Sequence, residues 1–184
     1  MGKLIYLIGM MGAGKTTVGR ILSERTGWEC VDMDREIERE TGRTIPDIFR
    51  EDGEPAFRRL ESELLARLAS RERCIVSTGG GAVLAAENRQ TMSDTGLVVY
   101  LRVSADDVLA RTKGDTNRPN LAAEDRRARV ESLLEARHPL YCATADISFR
   151  STGGSAAALA ARVLAHPRVR ALFESDAAGR EPSK

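Results

Sequence analysis

Short apolar runs alternate with helical patterns along the chain. Leu4–Ile8 is apolar throughout and predicts a strand buried on both faces. Lys15–Thr26 follows as a helix, with Val18, Ile21 and Leu22 on one face and Gly27 as its stop. Glu29–Asp32 predicts a short second strand, and Met33–Thr41 and Ile45–Asp52 short helices. Phe57–Arg71 is a longer helix, with a stripe at Phe57, Leu60, Leu64, Leu65 and Leu68. Arg73–Ser77 is a third strand and runs into Gly79-Gly80-Gly81; Leu97–Val103 carries the strongest strand signal. Ala105–Arg111 reads as helix, and Thr112–Ala123 as a polar, mobile loop. Glu124–Tyr141 reads as a helix bent at Pro139, Ala145–Phe149 as a last strand and Ala156–Ala165 as a last helix. Five strands, alternating with helices and apolar on both faces, predict an α/β fold: a parallel sheet covered by helices.

Length sets this pattern in one unit. The 184 residues suit one compact domain, expected over residues 1–173, with residues 174–184 as a small, polar, flexible tail. There are 28 Lys+Arg against 27 Asp+Glu, a formal charge of +1, so no polyanion partner is expected and nucleic acid is excluded as a class. Lysine occurs only at positions 3, 15, 113 and 184, and arginine supplies the other basic residues. Arginine's planar fork matches carboxylate and phosphate, so the arginines placed in a cleft matter more than the total. Cys30, Cys74 and Cys142 lack metal-ligand spacing and suit a reducing compartment. The N-terminal apolar run is too short for a signal or a membrane span. A cytoplasmic monomer with no membrane partner is expected.

The first strand delivers Gly9-Met10-Met11-Gly12-Ala13-Gly14-Lys15-Thr16, which fits G-x-x-x-x-G-K-[ST]. A chain of this composition would produce about 0.004 such matches by chance. Glycines let successive N–H groups turn inward around phosphate oxygens, and the following helix adds its positive N-terminal end. Lys15 is placed to reach the β- and γ-phosphates, and the Thr16 hydroxyl to ligate Mg²⁺. One of the chain's few lysines occupies this position.

Strand ends narrow the class. An ATPase or GTPase usually ends a strand on an Asp that helps hold the metal, but strand three ends Ser77-Thr78 and strand four Arg102-Val103. The base-reading Asn-Lys-x-Asp of GTPases is absent from the sequence. The carboxylate must come from Asp32 or Asp34, two positions apart in an extended segment and therefore on one side. Asp32 would face the metal and Asp34 an acceptor hydroxyl; alternatively, the two are a helix N-cap and a first-turn acid. Glu61 lies within the apolar stripe, and Arg58, three residues earlier, is expected to pair with it. That pair is either structural or holds Arg58 toward the cleft. Arg137, after Leu133 and Leu134, either snorkels to solvent or faces a buried anion.

Taken together, the chain resembles shikimate kinase from Leu4 to about Leu164. The likeness rests on GMMGAGKTT (Gly9–Thr17), VDMD (Val31–Asp34), TGRTIPDIF (Thr41–Phe49), GEPAFRRLE (Gly53–Glu61), STGGGAV (Ser77–Val83), GDTNRPNL (Gly114–Leu121) and RHPLY (Arg137–Tyr141). The resemblance implies a P-loop kinase fold of the nucleoside-monophosphate-kinase kind: three layers, α/β/α, a five-stranded parallel sheet and a mobile lid at about 112–123. It implies ATP and Mg²⁺ as cofactors and shikimate as substrate. Gly12, Ala13, Gly14, Lys15, Thr16 and Thr17 would hold the phosphates, and Thr16 and Asp32 the metal. Asp34 would bind the shikimate hydroxyls and take the proton. Arg58, Arg137 and the Gly80 N–H would bind the substrate and its carboxylate, with Phe49 and Phe57 as walls. Arg118 would close onto the γ-phosphate, and Arg111 would lie against adenine. Lys15, Asp34 and Arg118 are thus the catalytic candidates. The chain departs from the family at Asn120, where leucine is usual, and at Thr16, where serine is commoner. A gluconate kinase or a catalytically silent nucleotide-binding relative remain the alternatives.

Overall fold

The computed structural model describes residues 4–113 and 125–178, with side chains to residue 174. Five strands form one parallel sheet: β1 (Leu4–Ile8), β2 (Glu29–Asp32), β3 (Cys74–Ser77), β4 (Leu97–Arg102) and β5 (Ile147–Arg150), in the order β2-β3-β1-β4-β5. Every pairing is parallel, with Leu4 opposite Cys74 and Ile5 opposite Leu97 flanking the central strand. Parallel neighbours need long crossovers, and helices supply them. These are α1 (Lys15–Thr26), α2 (Met33–Thr41), α3 (Ile45–Glu51), α4 (Gly53–Leu68), α5 (Ala86–Thr95), α6 (Ala105–Arg111), α7 (Arg126–Thr144), α8 (Ala156–Ala165) and α9 (Pro167–Ala178), with a 3-10 turn at Ala82–Leu84.

Period two in the strands divides the core. Leu4, Tyr6 and Ile8 join Val76, Val98 and Tyr100 on one face, packed with Ile37, Ile48, Phe57, Leu65 and Tyr141. Ile5 and Leu7 join Ile75, Val99 and Leu101 on the other, packed with Val18, Leu22, Leu159 and Val163. The result is the three-layer α/β/α arrangement. A small third cluster (Met10, Met11, Val108, Val130, Leu133) ties the loop after β1 to α6 and α7.

Two helices were not anticipated by periodicity. In α5 only Asn88 and Met92 are buried, so no apolar stripe exists to detect; the Asn88 amide instead donates to Ala82 O at 3.0 Å. In α9, Pro167 looks like a stop but occupies the first turn, where its missing N–H costs nothing. Val169, Leu172 and Phe173 pack that helix onto Trp28, with Phe173 edge-on at 4.5 Å. Helix α7 continues through Pro139 to Thr144. Helix α4 begins at Gly53, four residues before the expected start. Among the described residues no helix is long and apolar enough to cross a membrane. Arg118, Asn120 and the expected lid from residue 114 onward lie outside the described residues; of the tail expected over 174–184, residues 174–178 are instead the end of helix α9, and the rest lies outside the described residues.

Candidate active site

The site is built at the carboxyl ends of β1, β2 and β3, where open α/β sheets bind ligands. Gly12 and Gly14 take left-handed φ values of 73° and 85°, which a β-carbon would disfavour, and α1 starts directly at Lys15. The buried Lys15 ammonium donates to Gly9 O at 2.8 Å and Met10 O at 3.0 Å, holding the loop closed beneath it. A cavity of about 300 Å³ lies against this loop and is bounded by Lys15, Thr16, Asp32, Asp34, Thr78, Gly80 and Arg111.

Asp32 is the last residue of β2 and pairs in register with Ser77 of β3. A carboxylate thus lies beside the end of β3, on the adjacent strand. Thr16 Oγ1 donates to Asp32 Oδ2 at 2.5 Å, and Asp32 also caps α2 by accepting from Arg35 N at 3.3 Å. The N-cap reading of this acid is thus seen, and the same carboxylate lies beside the phosphate loop. Two hard oxygens beside the phosphate loop suit a cation that keeps waters and phosphate ligands. No cluster of three or more His, Cys, Asp or Glu suited to a metal exists among the described residues, so a cage made entirely of protein is not present there.

Across the cavity, Asp34 in the first turn of α2 meets α4. Arg58 Nη1 donates to Glu61 Oε2 at 2.7 Å, so the expected pair forms. The same guanidinium bonds Glu54 Oε1 through Nη2 at 2.8 Å and Nε at 3.1 Å, and its Cζ stands 5.2 Å from the Phe57 ring centre. Glu61 is fully buried, and its Oε1 has no hydrogen-bond partner among the described residues. Burial pushes its carboxyl pKa up and the charge of Asp34 adds to this, while Arg58 and Arg137 oppose it. Phe57 is a buried core residue, with Phe49 tilted against it at 5.0 Å.

The glycine run makes room for these charges. A β-carbon on Gly79 would overlap Glu61 Oε1 and lie 3.0 Å from Asp34 Oδ1. One on Gly81 would overlap the Arg58 guanidinium, at 2.5 Å from Cζ. Gly80 is reached from α7: Arg137 Nη1 donates to Gly80 O at 3.2 Å, and the Tyr141 hydroxyl donates to the same oxygen at 2.5 Å. Arg137 is only 5 % exposed, so it does not snorkel to solvent. Asp34, Arg58, Glu61, Gly80 and Arg137 are thus brought together, although four different elements or loops carry them.

Arg111 forms a third wall. It donates to Gly12 O at 3.0 Å, to Ser151 Oγ at 3.1 Å and to Ser151 O at 2.5 Å. Ser151 Oγ in turn donates to Ala13 O at 2.8 Å. A second cavity of about 270 Å³, next to Gly12, Gly14 and Thr17, is lined by Arg111, Ser151, Thr152, Leu159 and Arg162. Its mixed apolar and polar lining beside the phosphate loop suits a nucleobase. Sequence reasoning missed Ser151 and Tyr141. The resemblance marks Ser151–Ser155 as the loop beside adenine but gives Ser151 no role, and Tyr141 sits one turn after Arg137 in a block already singled out.

Comparisons with known proteins point to one family. The family model described as shikimate kinase matches residues 11–167. A shikimate kinase of Methylococcus capsulatus is 54% identical over 142 residues, covering 77% of this chain and 79% of that protein. A solved shikimate kinase from Acinetobacter baumannii, in complex with shikimate, aligns with a TM-score of 0.87 at 45% identity, over 89% of this chain and 92% of that one. A gluconokinase from Sinorhizobium meliloti aligns with a TM-score of 0.55 at 18% identity, over 98% of each chain, and shares the fold.

Proposed function

Because this chain belongs to the shikimate kinase family, we propose that it transfers the γ-phosphoryl group of ATP to the 3-hydroxyl of shikimate, giving shikimate 3-phosphate and ADP. One observation carries the reading beyond the family. Arg58 stands against Gly81 and Arg137 against Gly80 in the glycine run, and Gly80 and Asp34 border the cavity of the phosphate loop. Two guanidiniums beside the Asp34 carboxylate, one of them held by Glu54 and Glu61, suit a hydroxylated acid as acceptor.

In this reading the Gly12–Thr17 loop and Lys15 hold the phosphates, with the base in the cavity walled by Arg111 and Ser151. Thr16 and Asp32 would hold Mg²⁺, which neutralises charge on the phosphates when bound. Arg58 and Arg137 take the substrate carboxylate, and the Gly80 N–H adds to that contact. Asp34 orients the acceptor hydroxyl. The oxygen attacks the γ-phosphorus, the bond to the β–γ bridging oxygen breaks, and the hydroxyl proton passes to Asp34. The transition state is loose, so positioning and charge neutralisation supply most of the acceleration. Arg118, outside the described residues, is assigned to the γ-phosphate on the resemblance alone. The proposal takes residues 1–173 as one kinase domain working as a cytoplasmic monomer, with no nucleic-acid or membrane partner. The three free thiols and the charge of +1 support that setting.

The test is ADP formation from Mg-ATP with shikimate, with gluconate and with no acceptor. Shikimate-dependent turnover with background rates in the other two is expected. Absence of a shikimate-dependent rate overturns the proposal, and gluconate-dependent turnover alone would favour the rival kinase.

A further inference from the structure

The Gly80 carbonyl accepts two side-chain donors, both from α7. Tyr141 Oη lies at 2.5 Å and Arg137 Nη1 at 3.2 Å. Four residues separate them, which places both on one helix face. The Tyr141 hydroxyl and the Arg137 guanidinium therefore meet at one carbonyl oxygen. Tyr141 itself has no freedom to leave. It is fully buried, its ring stacks on Tyr100 at 4.9 Å, and Tyr100 Oη is 3.0 Å from His138 Nδ1.

This arrangement bears on the substrate site in two ways. A guanidinium presents five donors in a rigid fork, and each donor spent on an internal carbonyl is lost to a bound carboxylate. Gly80 O accepts from both, so Arg137 commits one N–H to the carbonyl that Tyr141 holds in place, and the rest of its fork is given a fixed direction. Fixing the Gly80 oxygen also fixes the plane of the following peptide. The next residue is Gly81, whose surface the Arg58 guanidinium lies against.

We propose that Tyr141 is a positioning residue for the acceptor site: its hydroxyl holds the Gly80 carbonyl and thereby aims Arg137, and through Gly81 also Arg58, at the substrate carboxylate. This rests on the reading that Arg137 binds that carboxylate. Burial raises the phenol pKa of both tyrosines, that of Tyr100 to about 12, so both remain protonated at working pH.

The experiment compares the full chain with Tyr141→Phe, Arg137→Lys and the double variant. Tyr141→Phe keeps the ring and its stacking. Its KM for shikimate should rise about tenfold, as for loss of one buried hydrogen bond that orients a charged group. Its KM for ATP and its thermal midpoint should stay close to those of the unaltered chain. The double variant should lose less than the product of the two single effects, since Tyr141 acts in large part through Arg137 and otherwise through Arg58. An unchanged shikimate KM in Tyr141→Phe, equal rises in both KM values, or additive effects in the double variant would each overturn the proposal. If Arg137→Lys also leaves the shikimate KM unchanged, the underlying reading of Arg137 fails instead. In the unaltered chain, the Tyr141 hydroxyl proton should be protected from exchange and shift in the NMR spectrum when shikimate is added. A hydroxyl resonance indifferent to shikimate would also overturn the proposal, whether or not the Phe variant folds.

Discussion

Replacing Gly81 by alanine separates the placement of Arg58 from the stability of the fold. Gly81 has φ −104° and ψ −1°, a conformation alanine adopts without strain. The new methyl would lie 2.5 Å from Arg58 Cζ, whereas carbon atoms prefer about 3.5–4.0 Å. The guanidinium must retreat by roughly 1 Å, which a long side chain absorbs cheaply and its carboxylate partners can follow. Folding loses little, because removing glycine's freedom from the unfolded chain stabilises by about 0.4–1 kcal/mol and offsets a weakened ion pair. The thermal midpoint should therefore move by less than about 4 °C. The site loses more. A displaced guanidinium forfeits a charge-assisted hydrogen bond worth about 2 kcal/mol, and kcat/KM for shikimate should fall about thirtyfold. The assay is steady-state ADP release at fixed saturating ATP with varied shikimate, beside a thermal melt. A kcat/KM within twofold of the unaltered chain would show that Arg58 does not touch the substrate where it stands. A collapse of the melt would show that Gly81 serves the fold and not the site.

Asp34→Asn should lower kcat by at least about 100-fold, the usual scale for losing a proton acceptor, while ATP affinity measured by titration stays unchanged; near-normal kcat refutes its role. Ser151→Ala removes the bonds to Ala13 O and Arg111, so the KM for ATP should rise about fivefold with the KM for shikimate unmoved, and equal changes in both would mark Ser151 as structural. Glu61→Gln tests the buried charge through pH. Its folded pKa is raised, first by burial and then by Asp34, so the stability it contributes is present below its unfolded pKa of about 4.3 and lost as pH rises through the folded value. Urea melts from acid to neutral pH should show the glutamine variant gaining on the unaltered chain as pH rises. A difference independent of pH refutes the raised pKa.

Much of the fold was legible because its signals are local. The strand β1, the turn glycines and Lys15 lie within a dozen consecutive residues, and each obeys a short-range rule. The helices α5 and α9 were not legible, for opposite reasons. The former buries an amide and a thioether, not a stripe, and the latter opens with a proline that reads equally as an end. At the site, the Arg58–Glu61 pair was foreseeable because three residues on one helix are neighbours. The use of the glycines was not. Nothing near Gly79 or Gly81 in the chain says that the space they leave is filled by Glu61 and Arg58.

The sequence by itself determined that this protein grips a nucleotide phosphate, that its strands are parallel and buried, and which family it resembles. Periodicity and turn chemistry act over a few residues and need no knowledge of partners. Only the tertiary structure decided which charges face the cleft. The strand order sets Asp32 beside Ser77, at the end of a strand that itself carries no carboxylate. Packing of α4 and α7 against the Gly79–Gly81 loop turns Arg58 and Arg137 inward, and it recruits Tyr141 across 61 positions of chain. Contacts at such separations depend on how the layers stack, and the same arginines on another stacking would have been ordinary surface charge.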